Sequence, residues 1–382
     1  MDTEKQVTEL LKQLIEIPSV NGTKEVDRCA AFIVQWLKSA GIQAEIISQD
    51  GVANVVASIG KKGGKKMLWN GHFDVVPAGD LTQWNTEPFK PFVKEGYLYG
   101  RGASDMKSGI AAMMLAMKEL KAKEEKLPGE IVFWGIGDEE TGSVHGTVQL
   151  LKEYDKEFDA AIVTEPTDFC LESAQRGLRW IEVHIHGKAC HAGRPHVGKN
   201  AIEQAAKMIQ ALKDISYDIS NNIFEEGLKE PSLSVNKITG GIQNNIIAEE
   251  CTFLIDRRML PGETAGQVLQ QIETACESVR EEGFVFECKM INDGWDPYMI
   301  EQSEPVLLLL EKYFEQVTGI KPVVRGKGGC TDASHIFKAG IPVVIFGAGS
   351  ANESHTANEK VSLQKLAQSV EILVRTATEF LS

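Results

Sequence analysis

The stretch IVFWGIGDEETG, residues 131–142, runs apolar up to a glycine and then presents three carboxylates in succession, Asp138, Glu139 and Glu140. Carboxylates this close raise one another's pKa and destabilise the site unless a cation offsets them. Other candidate ligands also follow apolar runs. MLWNGHFDVVP places His72 and Asp74 after one, GRGASDMKSG places Asp105 in a glycine-rich turn that leads into a helix, and Glu165 follows AIVT. Histidine and carboxylates together suit zinc, which takes His nitrogen and Asp or Glu oxygen at ~2.0–2.2 Å. The H-x-D spacing lets one ring nitrogen of His72 bind metal while Asp74 accepts the other ring N–H and fixes the tautomer. Taken singly, an HxD is a surface turn and a Glu pair a solvated loop or helix start. Their co-occurrence, each after an apolar run, favours one shared site. No GxSxG elbow, Walker-A loop, HExxH or GxGxxG is present.

The elements that must position these residues follow from hydrophobic periodicity. Short apolar runs at 54–59, 67–70, 131–137 and 160–164 read as strands buried on both faces, and Lys107–Lys121 as a helix between two of them. Met113, Met114 and Met117 on that helix read as core. This is the α/β pattern of a mostly parallel sheet sandwiched by helices, whose strand ends converge on a ligand crevice. From about 178 to 292 the pattern changes: a half-solvated strand LRWIEVHIHG, a helix at about 199–213, strands SLSVNKITGG and AEECTFLIDRRM, a helix at about 263–282 and a strand FECKMIN. The order β-α-β-β-α-β is that of a ferredoxin-like α+β unit. After residue 300 a helix, PVVRG, a glycine-rich turn, PVVIFGAG and a helix from about 362 restore the first pattern. The expectation is one discontinuous α/β domain, residues 1–177 and 293–382, interrupted by an inserted domain at 178–292.

The bulk composition narrows the function classes. The chain has 382 residues, 43% hydrophobic and 25% charged, enough for two domains with ordinary cores. A formal net charge of −14 argues against nucleic acid or anionic lipid as the main partner. The N-terminal MDTEKQVTELLKQLIEIPSV reads as an amphipathic helix rather than a signal peptide. No apolar run approaches the ~20 residues of a membrane span. Seven scattered cysteines without a CxxC pair read as thiols in a reducing cytosol, so a cytoplasmic location is expected.

NGHFDVVP, GRGASDMKSG, GDEETGS, TEPT and GAGSANESHTANEKV resemble, in order, the motifs of the metallopeptidase family that contains acetylornithine deacetylase, succinyl-diaminopimelate desuccinylase, aminoacylase and glutamate carboxypeptidase. The resemblance covers nearly the whole chain. It implies two zinc ions per subunit, with His72 and Glu165 on one, Glu140 and His355 on the other, and Asp105 bridging both. Cobalt or manganese would fit the same ligands. It further implies that Glu139 is a general base on a shared water, which explains the adjacent glutamates: one would hold a cation while the other aims at the water.

The inserted domain resembles the family's lid and dimerisation domain. KACHAGRPHVGKNAI is similar to the lid motif, in which the histidine matching His191 supports the tetrahedral oxyanion from the partner subunit of a homodimer. A surface-turn histidine is the plain alternative. QNNIIAEECTFLIDRRMLPGE resembles a segment that supplies Asn and Arg for the substrate: Asn244 or Asn245, which of the two left open, and Arg258, suited to bidentate carboxylate recognition. Arg257 beside it could be a plain exposed strand charge. Gly329 lies in GKGGCTDASHIF, a loop similar to one whose glycines let backbone N–H groups approach a carboxylate. Cys330 in that loop reads as incidental, and His184, His186, His145 and His335 receive no chemistry.

The expected activity is hydrolysis of the amide bond of N-acyl amino acids, with no nucleic acid or membrane partner. TEPT favours deacylase over peptidase, because the aminotripeptidase branch has aspartate at the position of Glu165. The alternatives are a di- or tripeptidase or carboxypeptidase of the same family, a catalytically inactive binding homologue, and a structural zinc protein. The last would favour a cysteine-rich shell, which these motifs lack.

Overall fold

The apolar runs become strands, and where they end decides where the candidate ligands sit. The computed structural model describes residues 3–153, 157–217, 228 and 231–382. Its contacts divide the chain into two units: Met1–Ser173 with Ile300–Arg325 and Thr331–Ser382, and Ala174–Met299 with Gly326–Cys330. The expected insert was drawn at 178–292, and the loop 326–330, assigned from sequence to the first unit, groups with the second.

In the first unit the strand order is Gln43–Gln49, Val52–Gly60, Glu130–Ile136, Lys66–His72, Ala160–Val163, Val343–Ile345 and Leu171–Gln175. The central pairings are parallel and the marginal ones antiparallel. The central strands are buried almost throughout, as runs covered on both faces require. The edge strand Gln43–Gln49 has one buried residue, Ala44, among exposed and half-buried ones, too weak a pattern for the run-based reading to find.

The helix Lys107–Lys121 has the bounds expected from sequence, and Met113, Met114 and Met117 are fully buried. It packs against the helices Thr3–Ile15 and Leu363–Phe380 and against the strand Lys66–His72. Lys107, at its start, is fully buried and donates to the carbonyls of Leu14 (2.9 Å) and Ile17 (2.7 Å). A cation there satisfies carbonyls left over at the end of Thr3–Ile15, and burial lowers its pKa.

In the second unit the strands Gly177–His186, Ser232–Gly240, Glu250–Met259 and Val285–Met290 and the helices Ala201–Leu212 and Ala265–Ser278 follow the β-α-β-β-α-β order. The sheet runs Ser232–Gly240, Glu250–Met259, Gly177–His186, Val285–Met290, every pairing antiparallel. That is a ferredoxin-like unit. Alternate residues go to opposite faces: Ile181, Val183, Ile185, Phe253 and Ile255 pack with Met208, Val268 and Ile272 of the helices, leaving the other face open. No disulfide joins any of the seven cysteines. Among the described residues no helix is long and apolar enough to cross a membrane.

Candidate metal centre

His72 closes the strand Lys66–His72, and Glu139 and Glu140 begin the short turn Glu139–Thr141 just past the neighbouring parallel strand Glu130–Ile136. Glu165 follows Ala160–Val163, the next parallel strand. Three strand ends therefore deliver a histidine and three acids to one edge of the sheet. Asp105 comes from the turn before Lys107–Lys121, and the Asp105–Met106 peptide is cis. Two glycines set its distance from the rest. A Cβ on Gly109 would lie 2.3 Å from the Thr164 carbonyl oxygen, and one on Gly349 would lie 2.3 Å from that of Ser104, so only glycine permits either approach.

These groups converge. His72 Nε2 is 3.2 Å from Asp105 Oδ1, 3.5 Å from Glu165 Oε1 and 3.9 Å from Glu139 Oε2. His355 Nε2 is 3.1 Å from Glu140 and 3.5 Å from Asp105 Oδ2. The two oxygens of Asp105 thus address two different imidazoles. The His355 side chain is 54% exposed and that of His72 only 1%, so one end of the cluster opens to solvent and the other is sealed. His355 holds a left-handed φ of 61°, a conformation uncommon outside glycine and typical of constrained functional positions.

The electrostatics are those of a site built for a cation. Burial, then the charge of Glu165, pushes the Glu139 carboxyl well above its usual range. Burial opposes the imidazolium of His72, but hydrogen bonds to Asp105 and Asp74 and the charges of Glu165 and Glu139 outweigh it, leaving its pKa well above the ordinary value. The hydrogen bond to Glu140 raises that of His355. Ligand atoms of His72, Asp105 and Glu140, and likewise of His72, Glu139 and Glu165, lie within 4.8 Å of one another. This nitrogen and oxygen donor set fits zinc, cobalt or manganese. Distance alone does not separate Glu139 from the ligands.

Asp74 does more than the role expected of it. His72 Nδ1 lies 2.9 Å from the Asp74 backbone oxygen but 3.5 Å from its carboxylate. The carboxylate also accepts the backbone N–H groups of Glu139 and Glu140, each at 3.2 Å. Asp74 therefore orients both glutamates as well as the imidazole.

Glu359 went unassigned from sequence although it stands in the same C-terminal motif as His355. It is wholly buried, and its Oε1 accepts the backbone N–H groups of Ser104 (2.7 Å) and Asp105 (2.9 Å). Its Oε2 accepts from Gly102 N–H (3.1 Å) and Arg101 Nη1 (2.7 Å). Burial raises its pKa to about 7. The available signal was charge complementarity: Arg101 lies in GRGASD and Glu359 in ANEKV, two motifs already paired through Asp105 and His355. Asp332, also unassigned, is buried and accepts from Thr147 Oγ1 at 2.7 Å, and Thr147 in turn accepts from Asn70 at 2.8 Å.

The remaining candidates lie in the second unit. His191 and Asn245 are neighbours there: His191 bridges Ile246, and Ala192 N–H donates to the Asn245 carbonyl at 2.9 Å. His191 is exposed, and its Nδ1 accepts Gly193 N–H at 3.0 Å, which leaves Nε2 as the outward nitrogen. Asn244 and Asn245 are both exposed. Arg258 pairs with Asp256 at 2.9 Å and contacts Cys330 Sγ at 3.9 Å. Arg257 is not an exposed strand charge: it is buried, pairs with Glu263 and stacks over Tyr217, because its strand position faces the helices. In the glycine loop, Gly326 is the position that closeness demands, since a Cβ there would lie 2.2 Å from Leu228 Cγ, whereas one on Gly329 would meet only Lys327 Cε at 3.9 Å.

The chain is similar over most of its length to known proteins. The model for peptidase family M20/M25/M40 matches residues 68–379. A succinyl-diaminopimelate desuccinylase from Bordetella bronchiseptica is 31% identical over 388 residues, covering 99% of each chain. An N-formyl-4-amino-5-aminomethyl-2-methylpyrimidine deformylase from Bacillus subtilis is 31% identical over 334 residues, covering 81% of this chain and 78% of that one. Among solved structures, a dinuclear metal-binding peptidase of the M20 family from Bacillus subtilis superposes with a TM-score of 0.75 at 18% identity, covering 99% of this chain and 98% of that one.

Proposed function

The chain belongs to peptidase family M20/M25/M40 and is therefore a hydrolase of amide bonds; from that premise we propose that it is a dizinc deacylase of N-acyl amino acids. The observation that carries the reading is Asp105, whose Oδ1 faces His72 (3.2 Å) and Oδ2 faces His355 (3.5 Å), as a carboxylate shared by two ions must. His72 and Glu165 would hold one ion and Glu140 and His355 the other. When bound, such a pair acidifies a water and polarises the amide carbonyl.

The chain's own residues supply the rest. Glu139 takes the water proton on its carboxylate and delivers it to the leaving amine, so the products are a carboxylate and a free amine. Asp74 fixes the turn that carries Glu139 and Glu140, and Glu359 fixes the backbone of Asp105. His191 would support the developing oxyanion across a homodimer, with its Nε2 as donor. Arg258 would leave Asp256 to take a substrate carboxylate, with Asn244 or Asn245 and the backbone at Gly329 beside it. The desuccinylase and deformylase relatives both remove an acyl group from an amine, which supports a small N-acyl substrate. The dinuclear peptidase neighbour supports two metal ions. The seven scattered cysteines without a CxxC pair support a reducing, cytoplasmic setting.

The test is a panel of N-succinyl, N-acetyl and N-formyl amino acids assayed beside di- and tripeptides, with and without chelator. The reading expects the highest kcat/KM on an N-acyl amino acid, with all turnover lost on chelation and restored by Zn2+. Peptides turned over faster than every acyl compound would replace it with the peptidase alternative. No hydrolysis by the zinc-loaded chain would leave a binding homologue.

A further inference from the structure

Two histidines without an assigned role face one another in the second unit. His184 and His186 alternate along Gly177–His186 with the core residues Val183 and Ile185, so both project to the open face of the sheet. Their ring centroids are 4.1 Å apart. Glu250 stands directly across from His186 in the ladder with Glu250–Met259, and its Oε1 is 3.9 Å from His186 Nδ1. One nitrogen from each ring and one Glu250 oxygen all lie within 4.8 Å of one another. On the opposite neighbouring strand, Glu287 is the register partner of His184.

We propose that His184, His186 and Glu250 form a further metal site, on the open face of the second unit's sheet, that takes a divalent ion of the Zn2+, Ni2+ or Cu2+ class. The donor types select that class: two imidazole nitrogens and one carboxylate oxygen suit these ions, whereas Ca2+ and Mg2+ favour all-oxygen shells. The scaffold is suited to the task, because positions i and i+2 of a strand share a face and the third ligand sits on a hydrogen-bonded neighbour, so side-chain rotations alone can close the shell. Glu287 or water completes it. Among the described residues Glu250 is the one side chain paired with either ring, so no competing partner has to be displaced. A bound ion would cross-link Gly177–His186 to Glu250–Met259. Sequence spacing among the histidines does not reveal the site, because its third ligand is distant in the chain and adjacent only across the ladder.

The experiment uses the untagged full chain, saturated with Zn2+ and desalted, with Cu2+ alone as the probe. Electron paramagnetic resonance should show a Cu2+ signal split by two imidazole nitrogens. His184→Ala and His186→Ala should each weaken that binding at least tenfold, and the double variant should take up one Cu2+ fewer per chain, with hydrolytic turnover unchanged. Equal Cu2+ uptake and the same spectrum in wild type and double variant would overturn the proposal. Should the alanine variants misfold, imidazole resonances of the wild-type chain decide: Zn2+ titration must shift two histidine rings of the second unit together, and rings that stay put refute the site. Glu250→Gln, which keeps both rings, should also weaken binding measurably.

Discussion

The acid–histidine cluster of the first unit and the open sheet face of the second both bring imidazoles and carboxylates within reach of a single ion, yet they do so in opposite surroundings. In the first, His72, Asp105 and Glu165 are buried, and backbone N–H groups and a buried Arg101–Glu359 pair hold the turns that carry them. There the charges are shielded from water: burial drives the Glu139 pKa upward, and the neighbouring carboxylates raise that of His72 against the pull of burial. In the second, His186 is half-buried and Glu250 exposed on a half-solvated sheet whose core lies on its other face. Burial thus converts a set of ligands into a requirement for a cation, whereas the same residue types at the surface make an optional site.

Substitutions in the buried cluster should therefore be the costly ones. Asp105→Ala removes the group shared by both imidazoles; hydrolysis should fall to background and metal content should drop by at least one ion per chain, as read by mass spectrometry of the dialysed chain. Glu139→Gln should lower kcat by ~10²–10⁴-fold, the usual worth of a general base, while metal content stays at the wild-type value. Loss of metal in that variant would make Glu139 a ligand instead. Glu359→Gln, which reaches Asp105 through its backbone N–H alone and also holds Arg101, Gly102 and Ser104, should cost ~10–100-fold in activity or metal affinity, as supporting groups do.

The last variant also carries a pH signature. The Glu359 carboxyl sits near 7 in the folded chain and near ~4.3 unfolded, so folding takes up a proton between those values. Its contribution to stability is complete below the lower value and is lost as pH rises through about 7. Denaturant titrations should show that decline in wild type and a shallower one in Glu359→Gln. At the other end of the scale, His184→Ala with His186→Ala should leave kcat/KM unchanged, a contrast that a loss of turnover would erase.

Much of this was legible from sequence where a single residue type and its local run decide the outcome. The central strands and the helix Lys107–Lys121 are marked by continuous apolar runs, and the metal-ligand candidates each stand at the end of one. The unread parts depend on pairing between distant segments. The weakly patterned strand Gln43–Gln49 is defined by its antiparallel partner Val52–Gly60. Glu359 gains meaning from Arg101 and the turn at Asp105. Arg257 and Arg258, adjacent and alike in sequence, are sent to opposite faces by the strand, one buried against Glu263 and the other beside Asp256. The identity of the acyl group lies further still from any local pattern, because it depends on the shape of a pocket.

The most direct measurement is a crystal structure of the zinc-loaded chain with anomalous scattering recorded at the zinc edge. The account predicts two peaks flanking Asp105, one on the side of His72 and Glu165 and the other on the side of Glu140 and His355. A single peak, or two peaks with Asp105 bound to neither, would contradict it.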